Sequence, residues 1–249
     1  MLQHSENASI TVSYRFRPTV FATLLTVVAV GVFASLSLWQ YQRAAYKEQM
    51  AQAVAQQAVL PAINLNQTAV DWPAQRFRPA TVTGTWETGN SLLLDNIVHH
   101  GKAGYHVITP LQLTNGQHIL VNRGWVEVGA DRQKLPAIAT PTGAVQLSGT
   151  LDLPRSKPVF LFGDVPADVE GNQRWLYLDI PYFAQKLGFP LMPYTLLQSS
   201  DSADGLRRDW PVYENKAGMH IGYSIQWGAF ALIALGAYLY LNTHKKEKP

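Results

Sequence analysis

Two long apolar stretches lie near the ends of the chain and enclose a longer polar region. Residues 18–42 and 217–242 hold 25 and 26 consecutive residues without a formal charge. At about 1.5 Å of rise per residue, each stretch is long enough as a helix to cross a hydrocarbon core of about 30 Å. Arg17, Arg43 and Lys216 stand directly beside them. The pattern therefore predicts two transmembrane helices.

The second apolar stretch has two different faces when it is wound as a helix. One face is polar and aromatic, with His220, Tyr223, Ser224, Trp227, Ala231, Ala234 and Tyr238. The other is small and smooth, with Gly218, Gly222, Ile225, Ala229, Ile233 and Gly236. A G-x-x-x-G pair in an apolar helix allows a second helix to approach closely. We therefore expect the smooth face to pack against the first helix.

The distribution of charge predicts the topology. The net charge of +3 comes entirely from the two tails, because residues 43–216 hold 15 basic and 15 acidic residues. Short positive segments stay in the cytoplasm, whereas long domains cross the membrane largely regardless of charge. The predicted order is a cytoplasmic tail (1–17), a transmembrane helix (18–42), a periplasmic domain (43–216), a second transmembrane helix (217–242) and a cytoplasmic tail (243–249). The simplest location is the inner membrane of a bacterium, with the first helix as an uncleaved anchor because it lacks an A-x-A cleavage site.

Composition and motifs argue against several classes of function. A nucleic-acid-binding protein needs a basic patch on its folded part, and the central domain is balanced in charge. The absence of cysteine excludes disulfides and thiolate metal sites. The chain contains no phosphate-binding loop, nucleophile elbow or H-E-x-x-H motif. We therefore predict that the protein is not an enzyme.

The central region changes from a helical to a β pattern along its length. Residues 43–59 are rich in helix formers and extend the first helix, and residues 61–73 are linker-like. Alternating or apolar runs predict strands at 81–87, 91–98, 104–113, 118–128, 144–154, 174–180 and 191–198. A type I′ turn is expected at Asn115-Gly116, a loop at 160–173 and a short helix at 181–188. The fold class is thus a mainly antiparallel β (α+β) domain, a sheet or barrel, between two transmembrane helices.

Three histidines, His99, His100 and His106, lie on or between two predicted strands. Imidazoles brought together in this way bind ions such as copper. The alternative is that they are ordinary exposed loop histidines, and it is favoured because no cysteine or methionine cluster lies nearby.

Five motifs along the chain carry a family resemblance. They are LLLDN (92–96), GYHVITPLQL (104–113), VNRGWV (121–126), WLYLDI (175–180) and HIGYSIQW (220–227). Their order, and the plan of anchor, outer domain and anchor, resemble the surfeit locus protein 1 family of cytochrome c oxidase assembly factors. The sequence ENKAGMH before the second helix departs from the proline-containing lead-in that is frequent in that family.

The resemblance implies that the protein handles haem a and assists its insertion into cytochrome c oxidase subunit I. In that case His220 is the axial iron ligand, and Trp227 and Tyr223 lie beside the porphyrin. Haem a synthase is a second expected partner, and the lipid bilayer surrounds the helices. The haem propionates need cationic partners, for which Arg123 and Arg208 are the candidates, with Arg207 as a neighbour.

Other interpretations of these residues stay open. Arg207 and Arg208 can contact lipid phosphates, Arg123 can anchor a loop, and His220 can merely reach interfacial water. Two alternative functions also stay open. One is a scaffold that holds subunit I without binding haem. The other is an envelope sensor or adaptor, which the short tails disfavour.

Overall fold

A computed structural model describes residues 14–67, 74–154, 157, 173–210 and 213–245. The chain divides into a helical unit (residues 1–51 and 214–249) and a β unit (residues 52–213). Four of the predicted segments therefore lie partly outside the described residues: the two tails, the linker at 61–73 and the loop at 160–173.

The described residues form three helices and ten strands. In chain order they are β1 (Tyr14–Phe16), α1 (Val20–Ala58), β2 (Ile63–Asn64), β3 (Pro79–Trp86), β4 (Leu92–His99), β5 (Lys102–Leu113), β6 (His118–Glu127), β7 (Ala144–Asp152), β8 (Arg174–Trp175), α2 (Ile180–Leu187), β9 (Thr195–Gln198), α3 (Ala217–Leu241) and β10 (Thr243–Lys245). The predicted fold class, two apolar helices flanking a β-rich domain, is confirmed.

Helices α1 and α3 are both long and apolar enough to cross a membrane. Thr19 caps the start of α1 by accepting a hydrogen bond from the Ala22 amide at 3.2 Å. The helix then continues without a break to Ala58, which confirms the predicted extension beyond the apolar stretch.

The short segments 14–16 and 243–245, which flank α1 and α3, pair with each other, which the sequence did not predict. Strands β1 and β10 are antiparallel, with Arg15 opposite His244. The Arg17 amide also donates to the Asn242 carbonyl at 2.8 Å. The start of α1 and the end of α3 are therefore held together within the helical unit.

The β unit contains a sheet in the order β2-β3-β7-β9-β6-β5-β4-β8, with an additional pairing between β3 and β5. That pairing closes β3, β7, β9, β6 and β5 into a barrel. The closure needs Gly84, because a Cβ there would collide with the Gln112 carbonyl oxygen. The barrel core includes Val82, Leu111 and Leu196.

Most strand pairs are antiparallel, as predicted, but β2–β3, β4–β8 and β6–β9 are parallel. The prediction of a linker at 61–73 is wrong for residues 63 and 64, because they form β2 and join the sheet next to β3. Leu65, directly after β2, is fully buried. The linker prediction was wrong here because the alternation of apolar and polar residues at 63–66 is only four residues long and was too short a signal for a strand.

Two predicted strands are shorter than expected. The strand predicted at 174–180 ends at Trp175, because Asp179 caps α2 by accepting from the Tyr182 amide at 3.0 Å. The strand predicted at 191–198 begins only at Thr195. Pro193 lies in the missing part and has no amide to donate to a ladder.

The predicted type I′ turn at Asn115-Gly116 is wrong in its geometry. Only Gly116 has a positive φ, of 82°, and its amide donates to the Leu113 carbonyl at 2.9 Å. A three-residue loop that ends in a left-handed glycine is the type I turn with a G1 bulge. The two-residue turn with two positive φ values lies instead between β4 and β5, at His100 (46°) and Gly101 (77°).

Candidate functional site

The polar face of α3, and not its glycine face, contacts α1. Ser37 and Ser224 exchange hydrogen bonds from each hydroxyl to the other's carbonyl, at 2.8 and 2.9 Å. Nearer the chain ends, the hydroxyls of Thr23 and Tyr238 lie 2.8 Å apart. In an apolar environment a hydroxyl gains more from a partner on the neighbouring helix than from any lipid contact. The polar groups therefore turn toward each other.

The expectation that the glycine face packs against the first helix is therefore wrong. Among the described residues, no atom lies within 4 Å of the position where a Cβ would stand on Gly218, Gly222 or Gly236. This face of α3 remains open. Hydrogen bonding between helices outweighed the close approach that the G-x-x-x-G pair permits.

His220 is half-buried at the start of α3, and its ring is oriented by a residue of α1. Its Nδ1 lies 2.7 Å from Oε1 of Gln40. An amide oxygen can only accept, so in the neutral ring Nδ1 carries the proton and Nε2 keeps its lone pair. A second partner that fixes the tautomer in this way is the usual arrangement of a metal-binding histidine.

Trp227 lies about two turns further along α3 within a small aromatic cluster. Its ring stacks on Phe33 of α1 at 5.8 Å between centroids and meets Phe230 edge-on at 5.7 Å. Tyr223, in contrast, is 47% exposed. His220 and Trp227 thus share the face toward α1, and Tyr223 stands at its border.

In the β unit, Arg123 and Arg208 meet on one carboxylate that sequence reasoning missed. Asp204 accepts from Nη2 of Arg123 at 3.0 Å and from Nη2 of Arg208 at 2.6 and 2.7 Å. Arg123 also donates to the Thr140 hydroxyl and the Ala139 carbonyl, and its side chain is fully buried. Both predicted propionate partners are thus engaged within the protein, and their role toward a cofactor stays a prediction.

The ionisation of this cluster follows from burial and pairing. Burial acts to raise the pKa of Asp204, but hydrogen bonds from Arg208, the Leu206 amide and Arg123 outweigh it and hold the pKa below its usual value. Burial lowers the pKa of Arg123, opposed by Asp204. A guanidinium nevertheless stays protonated at any physiological pH. The cluster therefore holds two cations and one anion.

The other residues of the V-N-R-G-W motif hold β6 against the segment that contains Arg207. Trp125 and Arg207 exchange backbone hydrogen bonds at 2.7 and 2.9 Å, and the Arg207 guanidinium lies over the Trp125 ring at 5.7 Å. Gly124 has a φ of 138°, and a Cβ there would stand 2.6 Å from the Arg207 carbonyl oxygen. The motif therefore has a demonstrable packing role in this structure.

The three histidines weighed as a metal site do not come together as a set. Nδ1 of His106 lies 3.1 Å from the Asn122 amide nitrogen, and the His106 ring lies against Trp210. His99 and His100 instead meet Asp209, with each Nε2 within 3.3 Å of Asp209 Oδ2. Spacing alone could not find Asp209, which is more than 100 residues away along the chain.

Comparison with known proteins gives a consistent result. The model of the SURF1 family matches residues 27–232. A SURF1-like protein of Rickettsia felis is 24% identical over 87% of this chain and 94% of its own length. Surfeit locus protein 1 of Xenopus tropicalis is 27% identical over 68% of this chain and 59% of its own. An uncharacterized SURF1-like protein of Mycobacterium tuberculosis is 26% identical over 95% and 90%.

Proposed function

This chain belongs to the SURF1 family, whose members are known broadly as cytochrome oxidase assembly factors, and we propose that it binds haem a and assists its insertion into oxidase subunit I. Haem a is the cargo in this proposal, and the protein holds it during transfer. No catalytic step is required of the chain.

The observation that carries the proposal is the orientation of His220. Imidazole is a usual axial ligand of haem iron, and an ionisable side chain in an apolar span is a functional candidate by default. Gln40 Oε1 accepts a hydrogen bond from Nδ1, which leaves the lone pair of Nε2 to bind iron. Trp227 and Tyr223, on and beside the same face, are the proposed aromatic neighbours of the porphyrin.

The proposal includes a topology that places His220 on the outer side of a bacterial inner membrane. The tails carry the net positive charge and stay in the cytoplasm, and residues 43–216 lie in the periplasm. The chain has no cysteine, so single cysteines at the exposed positions Thr88 and His244 report their location without background. An impermeant thiol reagent applied to intact spheroplasts is expected to label position 88 and not position 244. The reverse labelling would exclude this topology.

The haem proposal is tested with protein produced together with a haem a synthesis pathway and purified in detergent. The wild type is expected to show the Soret and α bands of haem a. His220→Ala is expected to lose them, and Gln40→Leu to weaken haem binding while leaving a ligand. His244→Ala is the matched control, because this exposed histidine lies at the opposite end of α3. Equal haem in the wild type and in His220→Ala would exclude His220 as the ligand.

A second candidate function is a scaffold that holds subunit I without binding haem. The open glycine face of α3 favours it, because small residues on a membrane helix allow another helix to approach. Gly222→Leu is expected to lower co-purification with subunit I, and Ala237→Leu, at an exposed position of α3 outside the glycine face, serves as a control for added bulk. If His220→Ala leaves oxidase activity normal and Gly222→Leu abolishes it, the scaffold function replaces haem delivery.

A further inference from the structure

The β4–β5 turn brings two imidazoles and one carboxylate together. Nε2 of His99 lies 2.9 Å from Oδ2 of Asp209, and Nε2 of His100 lies 3.3 Å from the same oxygen. One ligand atom from each of the three residues lies within 4.8 Å of the others. The two imidazole rings are 4.3 Å apart and nearly perpendicular.

These separations match those of a small metal site. Zinc binds imidazole nitrogen and carboxylate oxygen at about 2.0–2.2 Å, so two ligands of a tetrahedral ion are about 3.3 Å apart. The two measured nitrogen–oxygen distances lie close to that value. Small side-chain adjustments would therefore be enough to place an ion between the three ligand atoms.

The hydrogen bonding among the three groups is incomplete. His100 and Asp209 satisfy the geometry of a hydrogen bond. His99 Nε2 is enclosed, yet within the described residues it makes no aligned hydrogen bond, although the carboxylate oxygen is 2.9 Å away. A buried nitrogen without an aligned partner needs an explanation. A metal ion can accept the lone pair of His99 Nε2, whereas the Asp209 carboxylate cannot.

The backbone at this turn is also unusual. His100 has a φ of 46° in a position where asparagine, aspartate or glycine is the common residue. Such outliers concentrate at functional sites and are retained because the surroundings impose them. Here the turn brings the His100 ring within reach of Asp209, while 74% of the side chain stays exposed to solvent.

The surrounding structure positions the ring of His99 and the backbone close to Asp209 in advance. The ring of His99 lies 5.0 Å from that of Trp125. Asp209 follows Arg207 by two residues, and Arg207 is held to Trp125 by two backbone hydrogen bonds. Ligands that are positioned by their neighbours lose less entropy when they bind an ion.

We propose that His99, His100 and Asp209 form a binding site for a divalent transition metal ion of the class that prefers imidazole, Cu²⁺ or Zn²⁺. Three protein ligands leave a fourth position open, which is the arrangement of an exchangeable site rather than of a closed structural one. The site is independent of the proposed haem function, because none of its residues belongs to the helical unit.

The test uses full-length protein in detergent, purified through a tag that contains no histidine. Titration calorimetry with Cu²⁺ and with Zn²⁺ is expected to show one ion per chain, with Cu²⁺ bound more tightly. His100→Asn and Asp209→Asn are each expected to weaken binding at least tenfold. Asparagine is chosen at position 100 because it tolerates the positive φ. His244→Asn is the control histidine and is expected to bind as the wild type does.

Electron paramagnetic resonance of the Cu²⁺ form gives a second readout. The wild type is expected to show coupling to two imidazole nitrogens, and His100→Asn to one. Thermal unfolding of each variant without metal verifies that the fold is kept. The absence of stoichiometric binding in the wild type would overturn the proposal. Metal binding by a folded His100→Asn variant that equals that of the wild type would also overturn the proposal.

Discussion

Asp204 is the single anion between two arginines, and its replacement tests whether this cluster stabilises the β unit. The side chains of Asp204 and Arg123 are 2% and 0% exposed, and that of Arg208 is 10% exposed. Asp204→Asn removes the charge and leaves two guanidinium groups facing an amide. We expect it to destabilise the protein more than Arg123→Met or Arg208→Met, each of which leaves one ion pair intact.

The magnitude follows from the burial of the pair. Removing one partner of a buried ion pair costs about 3–5 kcal/mol, because the other charge is left uncompensated. Asp204 compensates Arg123, which has no contact with water. For a domain of about 150–250 residues, each kcal/mol shifts the melting temperature by about 2–4 °C. Asp204→Asn is therefore expected to lower it by ~6–20 °C.

The assay is thermal unfolding of the haem-free, detergent-purified protein, followed by tryptophan fluorescence. Asp201→Asn is the matched control, since Asp201 is exposed in the same segment, and its melting temperature is expected to stay within about 1 °C of the wild type. A shift of less than about 2 °C for Asp204→Asn would refute the stabilising role. In that case Arg123 and Arg208 would be better interpreted as groups kept for a ligand.

Three further predictions concern pH, barrel closure and helix capping. The pKa of Asp204 is lower in the folded than in the unfolded protein, so its stabilising effect is complete above the unfolded pKa of about 3.9 and is lost as the pH falls through the folded pKa. The difference in melting temperature between the wild type and Asp204→Asn is therefore expected to be constant above about pH 5 and to shrink below about pH 4. Gly84→Ala is expected to cost about 1–3 kcal/mol by forcing β3 from β5, whereas Gly129→Ala, which meets no described atom within 4 Å, is expected to be neutral in the same thermal assay. Asp179→Ala is expected to cost about 1 kcal/mol through loss of the α2 cap, and Asp179→Ser, which restores an acceptor, is expected to recover most of it.

Features encoded by local pattern were predictable from the sequence. The two apolar helices follow from length and hydrophobicity, and α2 follows from a proline in its first turn and the left-handed Gly188 after its end. The alternation of apolar and polar residues also predicted β3, which is buried at every second position. The predicted geometry of the turn at Asn115-Gly116 was wrong, because the pairing of Gln112 with His118 leaves a loop that is one residue longer than a type I′ turn accepts.

Contacts between distant segments could not be predicted in this way. His220 contacts Gln40 from 180 residues away along the chain, and Arg123 contacts Asp204 from 81 residues away. No sequence motif has a spacing that would indicate either pair. The glycine face of α3 shows the same limit. The G-x-x-x-G motif shows that this face allows close packing of a second helix. The hydrogen bonds between Ser37 and Ser224, however, turn the opposite face of α3 toward α1.

The V-N-R-G-W motif illustrates how a specific sequence signature can act through packing. Arg123 contacts Asp204, Gly124 allows the Arg207 backbone to approach, and Trp125 pairs with that backbone. All three contacts hold one short segment, 204–207, against β6. Asp209, two residues further on, is thereby positioned beside the histidines of the β4–β5 turn. A substitution in the motif is therefore expected to release segment 204–207 and so to displace Asp209. It would weaken the binding of an ion beside the β4–β5 turn even though the substituted side chain does not contact that ion.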